Sequence, residues 1–352
     1  MKNLYLLIVC ILFNCFAAQA IGNNAVFIKK ERPAFDSIET IFQRIQQYDK
    51  LSLTFNFDSL LINKKKDLQH PATMVLKGKD QTELVIHTKI KPRGKFRRMR
   101  CDFPPIRLNF KKSALKALNL YGKYDKLKMV THCKNQKSND IAILKEYWTY
   151  KMFNEVSDSS FRVHLLEITY IDETDTTNQI ENHAIIIENA DEMAHRLNGE
   201  LVEGRGIQPT DLAPIPYQNV LLFNYMIGNT DWELKNQKNL KLVKHKNSKL
   251  YTVIPYDFDF AKIVSTSYLR MDKTVPNVDN NNRAAMGVFN DLKSLERGIT
   301  KFQNLKETGF TCFNKCKYLG KKDKTEMAYF MKSFFKKTKK KQALVDIFLA
   351  KS

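Results

Sequence analysis

Apolar and polar residues alternate along five short runs in the first part of the chain. They are LSLTFNF (51–57), ATMVLKG (72–78), TELVIHTKIK (82–91), IRLNF (106–110) and LKMVTHC (127–133). A period of two, carried by β-branched and aromatic residues, predicts strands of a largely antiparallel sheet. Between residues 139 and 155 the period lengthens: Ile141, Leu144, Trp148 and Met152 fall on one stripe of a helix, with Asn139 and Asp140 as its N-cap candidates. Two further strands are predicted at VHLLEITYI (163–171) and HAIIIEN (183–189).

Beyond residue 190 the pattern turns helical. DEMAHRL (191–197) predicts a short helix, EGRGIQPTDLAPIP (203–216) an irregular connection, and PYQNVLLFNYMI a buried helix ending at Ile227. NLKLVKH (239–245) and LYTVIPYDFDF (250–260) pair as a hairpin, followed by an Asn-rich loop at 277–282 and terminal helices. SYLRMDKTVPNVDNNNR (267–283) reads equally as a substrate loop or a linker. No internal repeat is present. The order predicts an α+β chain with a two-lobed, protein-kinase-like fold. A strand-rich lobe with one helix covers residues 51–190, and a helix-rich lobe covers 191–352, with a crossover near Glu188.

The first twenty residues, MKNLYLLIVCILFNCFAAQA, combine Lys2, an apolar core at 4–16 and the small-residue end Ala18-Gln19-Ala20. That is the pattern of a secretory signal peptide, too short for a membrane span. Asn14 fits poorly before a lipoprotein Cys15, so cleavage after Ala20 is expected, followed by an N-terminal extension over 21–50. No later stretch approaches the roughly 18 apolar residues of a spanning helix. The mature chain is therefore expected to be periplasmic or extracellular and without a span. Loss of the leader leaves Cys101, Cys133, Cys312 and Cys316, which outside the cytoplasm predict disulfides 101–133 and 312–316. Zinc fits less well, because CFNKC separates its cysteines by three residues and neither distant Cys has a close neighbour.

Charge sharpens the picture. A net charge of +21 favours anionic partners, and no nucleic-acid-binding fold is apparent. Basic residues concentrate at KPRGKFRRMR (91–100) and FFKKTKKKQ (334–342). The second run reads as a solvated surface. In the first, Arg93-Gly94 and Arg97-Arg98 interrupt strand-like sequence as a phosphate-facing loop would.

The acidic chemistry lies in GNTDWELKNQKN (228–239) and PYDFDF (255–260). Magnesium takes hard oxygen ligands, one or two carboxylates among them, and phosphoryl transfer needs little else from a protein beyond cations and a carboxylate at the attacking hydroxyl. Asp231 ends a helix, Asn236 and Asn239 follow, and a strand brings Asp257 and Asp259 back. Strand alternation puts these two carboxylates on one face and Phe258 and Phe260 on the other. Such a pair needs a cation or donors. A lone Asp-x-Asp more often caps a turn or meets a lysine, and the preceding Asp231 and asparagines bring the two readings level.

The succession RGKFRR, CDFPPIRLNF, LKMVTHC, LKEYWTYKMFN, SFRVHLLEITY, IIIENADEMAHR, YMIGNTDWELKNQKNLKL and IPYDFDFAK, from about residue 51 to 262, resembles the CotH-like family, named for a spore-coat protein kinase. The resemblance is specific in the GNTDW and PYDFDF blocks and looser at both ends. It implies a secreted or envelope-located protein with a kinase-like fold, able in some members of the family to use ATP and Mg to phosphorylate proteins. Asp231 matches the catalytic-loop Asp that faces the substrate hydroxyl. Asn239 or Asn236 matches the metal-binding amide. Asp257 matches the metal-binding Asp, with Asp259 supporting the same or a second ion. Glu146 corresponds to the Glu bracing a phosphate-binding cation, for which Lys128 and Arg107 compete. Glu188 faces the nucleotide or caps the helix after it. No GxGxxG is present, and Arg93, Arg97 and Arg98 are the candidates to cover phosphates in its place. His132, His164, His183, Trp148 and Trp232 read as structural, Trp232 also as a wall beside Asp231.

The expected function is an exported ATP- and Mg-dependent phosphotransferase acting on a protein or cell-envelope hydroxyl. The alternative is a catalytically inactive relative, or a binding module for anionic envelope polymers. A metal-dependent hydrolase built on Asp231, Asp257 and Asp259 lacks an evident His or Cys ligand or water nucleophile.

Overall fold

Side-chain alternation builds two cores that share one wall. The computed structural model describes residues 38–204, 206–270, 275, 278–281, 283–289, 292–307 and 309–349. The expected signal peptide lies outside them, as do most of the extension after it and parts of the Asn-rich loop. The first half of the chain runs α1 (Ile41–Ile45), β1 (Lys50–Phe55), α2 (Phe57–Ile62), β2 (His70–Lys77), β3 (Glu83–Pro92), α3 (Lys95–Arg100), β4 (Ile106–Phe110), α4 (Lys112–Ala117), β5 (Lys126–Val130), α5 (Lys137–Val156), β6 (Val163–Asp172) and β7 (Gln179–Ile187). These strands close into a barrel in the order β1-β2-β3-β4-β5-β7-β6. All neighbours are antiparallel except β1 and β6, whose parallel pairing from Lys50–Glu167 to Phe55–Asp172 seals the barrel.

The second half runs α6 (Ala190–Arg196), β8 (Gly199–Val202), α7 (Pro214–Ile227), β9 (Leu240–His245), β10 (Tyr251–Pro255), α8 (Leu292–Asn304), α9 (Lys321–Thr338) and α10 (Lys341–Leu349). Strands β10, β9 and β8 form a separate antiparallel sheet.

Inward residues of the barrel, among them Leu53, Met74, Ile90, Leu108, Leu127, Met129 and Ile186, form one apolar core. The alternate residues of the same wall point outward: Val130 of β5 and Ile185 and Ile187 of β7 belong to the second core, with α5, α7, β9 and β10. Because side chains switch face at every residue, Lys128, between Leu127 and Met129, also points out of the barrel. Helix α5 lies in the first half of the sequence but buries Ile143, Leu144, Tyr150, Met152 and Phe153 in the second core.

The two-lobed kinase-like expectation is corrected by this architecture. In place of a strand-rich lobe joined to a helical lobe by a crossover, a closed seven-stranded mixed barrel shares β5 and β7 with a helical layer, and the described residues form one unit. The α+β character holds. The physical cause is the parallel pairing of β1 with β6, more than a hundred residues apart in sequence, which leaves the barrel sheet no free edge. Smaller differences follow local chemistry. The N-cap of α5 is Gln136, while Asn139 is buried and Asp140 accepts hydrogen bonds from the His183 backbone N–H and ring Nδ1. The basic run at 95–100 is a helix rather than a loop. Among the described residues, no helix is long and apolar enough to cross a membrane.

Two features lock segments that bear on the site. Cys101, at the end of α3, is disulfide-bonded to Cys133, just beyond β5. Cys312 and Cys316 are free thiols at a 3-10 turn (Cys312–Lys315), so the expected second disulfide is not formed. Arg283 is fully buried: its guanidinium donates to the Met226 carbonyl at 3.0 Å, the Ser333 Oγ at 2.7 Å and the Phe330 carbonyl at 2.7 Å, and lies over the Phe330 ring. It thereby ties the end of α7 to α9.

Closing a loop across 32 residues of sequence limits the freedom of the unfolded chain. The Cys101→Ser/Cys133→Ser double variant is expected to lose roughly 2–4 kcal/mol of stability. Melting of wild type and variant with and without reductant checks this: reductant should lower the midpoint of the wild type alone, and an unchanged wild-type midpoint would remove the disulfide from the fold's stabilising interactions.

Candidate functional site

The chain leaves α7 at Gly228, whose φ of +67° suits a residue without a β-carbon. The backbone N–H of Asp231 then donates to Asn229 Oδ1 at 3.0 Å, and Asn229 donates to Asn224 at 2.9 Å, so a buried amide ladder fixes the turn. Asn239, itself at positive φ, donates from Nδ2 to the Asp231 carbonyl at 2.6 Å and to its carboxylate Oδ2 at 2.8 Å. Both amide hydrogens are thus engaged, and the Asn239 Oδ1 is left as a hard acceptor. Asn236 instead donates to Glu233 at 2.7 Å on the exposed side of the turn. Of the two asparagines, Asn239 is the one held against Asp231. The other Asp231 oxygen is ion-paired with Lys238.

Strand β10 ends at Pro255, so the expected alternation does not continue through the acidic pair. Asp257 takes a left-handed conformation, φ +64°, and Phe258–Phe260 form a 3-10 turn. A non-glycine residue there is strained by about 1 kcal/mol or more unless its surroundings hold it. They do: the Asp257 backbone N–H donates to the Tyr150 hydroxyl at 2.7 Å, and Phe258 is driven into the second core against Tyr150 and Phe223. Asp259 is buried, accepting from the Tyr268 hydroxyl at 2.8 Å. Phe260 packs on Phe96 and Tyr268 rather than continuing a strand face.

Charges gather around this turn. Burial, then the neighbouring Asp257, pushes the Asp259 carboxyl up to about 7, against the pull of Arg97. Glu146 of α5 is buried and raised well above the usual carboxylate range, by desolvation first and then by Asp259 and Asp257; Arg97 and Arg93 oppose the shift. Its Oε1 has no hydrogen-bond partner. Lys128 lies 4.4 Å from the centroid of the Tyr256 ring. Burial and Arg93 lower its ammonium to about 7, and Asp257 pulls the other way. The cations that Glu146 feels are therefore Arg97 and Arg93, and no Glu146–Lys128 ion pair is present.

Arg97, expected over phosphates, is instead buried: it donates to the Thr131 carbonyl and lies 5.7 Å from the Tyr268 ring centroid. Arg93 is half-buried. Arg107, exposed, sits directly across the β4–β5 register from Lys128. Both rivals for the phosphate-binding role thus occupy one outward row. Glu188 is not available to a nucleotide, because Arg196 takes both carboxylate oxygens at 2.8 Å and the Arg162 N–H donates to one of them at 3.0 Å. His132 stacks on Phe103, His164 bonds the Tyr48 carbonyl and His183 bonds Asp140. Trp232 is buried in the second core.

Tyr150 and Tyr268, which hold Asp257 and Asp259, carry no signal in the sequence. Lys238 had one, standing beside Asn239 in the same block. The groups that could serve a divalent ion are two carboxylates, Asp257 and Asp259, with the Asn239 amide oxygen, a type of donor that suits a hard cation completed by phosphate and water. The raised Asp259 and the unpartnered Glu146 Oε1 mark a place short of positive charge. Among the described residues, no group of three or more His, Cys, Asp or Glu side chains is placed to hold a metal by itself. No protein-family model matches the chain, and no curated protein matches it.

The shifts set a pH dependence. Asp259 holds its proton in the fold to about pH 7 but loses it near 3.8 when unfolded, so its contribution declines as pH rises from about 4 to 7. Lys128, lowered to about 7 from 10.5, acts in the opposite sense: its cost is present below pH 7 and is relieved as pH rises towards 10. Melting in chelator should therefore pass through a minimum near neutrality, and Asp259→Asn should make the acid-side limb alone shallower, Glu146 and Glu192, both also raised by burial, carrying the remainder. A variant that kept the full decline would mean Asp259 is ionised in the native fold.

Proposed function

We propose that the protein is an exported ATP- and Mg-dependent phosphotransferase that acts on a hydroxyl of a protein or cell-envelope acceptor. The observation that carries this reading is the clamp of Asn239 on Asp231 beside the half-buried Asp257 and the buried, raised Asp259, with Lys128 and Arg93 across from them. Resemblance of the GNTDW and PYDFDF blocks to the CotH-like family points the same way, as do the leader-like N-terminus and the disulfide for export.

In this reading Asp257, Asp259 and the Asn239 Oδ1 would hold the metal. When bound, Mg-ATP supplies the transferable phosphoryl group, with the metal offsetting phosphate charge. Asp231, oriented by Asn239, accepts the hydroxyl proton as the acceptor oxygen bonds to phosphorus and the bond to the leaving diphosphate breaks. Lys128 and Arg93 stabilise the phosphate oxygens. Lys238 must release Asp231 for this, and its half-exposed position makes the exchange inexpensive.

That ion pair also favours a second reading, in which the site binds nucleotide and metal without turnover. Labelled ATP and Mg added to the purified protein with a basic, Ser-rich acceptor separate the two. Transfer should fall by about 100-fold or more in Asp231→Ala and disappear in Asp257→Ala. Thermal shift should show ATP and Mg stabilising together beyond the sum of each alone, with Asp257→Asn abolishing the synergy. Transfer equal to wild type in the Asp231→Ala/Asp257→Ala double variant would eliminate the enzymatic reading; synergy without transfer would leave the binding one.

A further inference from the structure

Next to the outward row of β3, β4 and β5 is a pocket of about 250 Å³ lined by Asp67, Lys91, Arg93, Gly94, Arg98 and Arg107. Its construction follows from the chain. Lys91 and Arg107 are cross-strand neighbours, so their side chains leave the barrel on the same face. Gly94, at φ +77°, turns the chain sharply from β3 into α3, and the Arg93 N–H is pinned to the Pro105 carbonyl at 2.8 Å. This turn sends the two adjacent arginines of α3 to opposite destinations: Arg97 inward to the acid cluster, Arg98 outward to the pocket. The disulfide at Cys101 fixes the far end of the same helix.

Four cations therefore face one carboxylate, and that carboxylate is unusual. Asp67 is 79% exposed, yet it reaches Lys91 at 2.5 Å. The Lys91 hydrogen bond, followed by the charges of Lys91, Arg98 and Arg107, holds it below the ordinary aspartate range. An exposed carboxylate on a loop, drawn by three cations of a concave surface, occupies the position of a ligand.

We propose that this pocket binds a phosphate-type polyanion and that Asp67 is its internal counter-ion, displaced from Lys91 when the ligand enters. Arginine forks at Arg98 and Arg107 suit tetrahedral oxyanions through paired N–H donors, and Lys91, freed from Asp67, adds a point charge. The chemistry is shared by the phosphate tail of a nucleotide and by a separate phosphorylated or inorganic polyanion. Neither requires the phosphotransfer reading.

The test is titration calorimetry with inorganic tripolyphosphate in chelator, using the full folded chain and, in parallel, its Asp257→Asn variant. Binding is expected in both, so it stands or falls separately from the metal site. Asp67→Asn should tighten it by about threefold or more by removing the competitor. Arg98→Ala/Arg107→Ala should weaken it by about tenfold or more, with an unchanged melting temperature because both side chains reach solvent. ATP, but not adenosine, displacing tripolyphosphate assigns the pocket to the nucleotide tail; retention of tripolyphosphate against ATP assigns it to a separate anion. Absence of binding in both wild type and Asp67→Asn, or affinity unchanged by loss of the two arginines, overturns the proposal.

Discussion

A single buried guanidinium makes the acidic centre possible. Glu146 and Asp259 are both removed from water beside Asp257, an arrangement that mutual repulsion and desolvation would drive apart or neutralise. Arg97 opposes that tendency from within the protein, and the elements around it serve its placement. Helix α3 carries it, Gly94 sets the angle of entry, the Cys101–Cys133 bond closes the exit, and the Thr131 carbonyl takes its hydrogen bond. The compensation is partial. Asp259 remains raised and Glu146 keeps a bare oxygen, so the centre is stable as it stands yet has capacity for another positive charge.

Geometry above this centre follows from the shared barrel wall. Alternation along β5 places Leu127 and Met129 in one core and Val130 in the other, which leaves Lys128 at the boundary of both, facing the turn at Asp257. The same periodicity aligns Lys91 and Arg107 with it across the register. A row of cations along one sheet face therefore ends at the acidic turn, an electrostatic gradient along which phosphate-rich molecules would orient.

Strands were the legible part of the sequence, because a period of two with branched residues has few alternative explanations. Runs at 72–78, 82–91, 106–110 and 163–171 lie within two residues of β2, β3, β4 and β6. Barrel closure was not legible: it depends on β1 meeting β6, a long-range pairing that no local pattern encodes. In the site, the blocks containing Asp231, Asn239, Asp257 and Asp259 stood out by residue type and order. Their local geometry did not. Pro255 was the available sign that the strand stops before Asp257, and nothing in Arg97-Arg98 indicated which guanidinium faces inward. Glu188 looked accessible until Arg196, eight residues on, is seen to occupy it. Cys312 and Cys316 satisfied the expectation of paired cysteines by count, whereas their thiols remain free.

The buried Arg283 gives the last helices a task beyond covering a core. Its three donors are satisfied by one carbonyl at the end of α7 and by two groups of α9. Trimming the polypeptide ahead of α9 would strand that guanidinium without two of its acceptors at the foot of the Asp231 turn, a loss of the size that follows from unpairing any interior charge, about 3–5 kcal/mol. The stretch of α9 through Ser333 is thus a buttress for the Asp231 turn, and a minimal version of the protein has to extend through it.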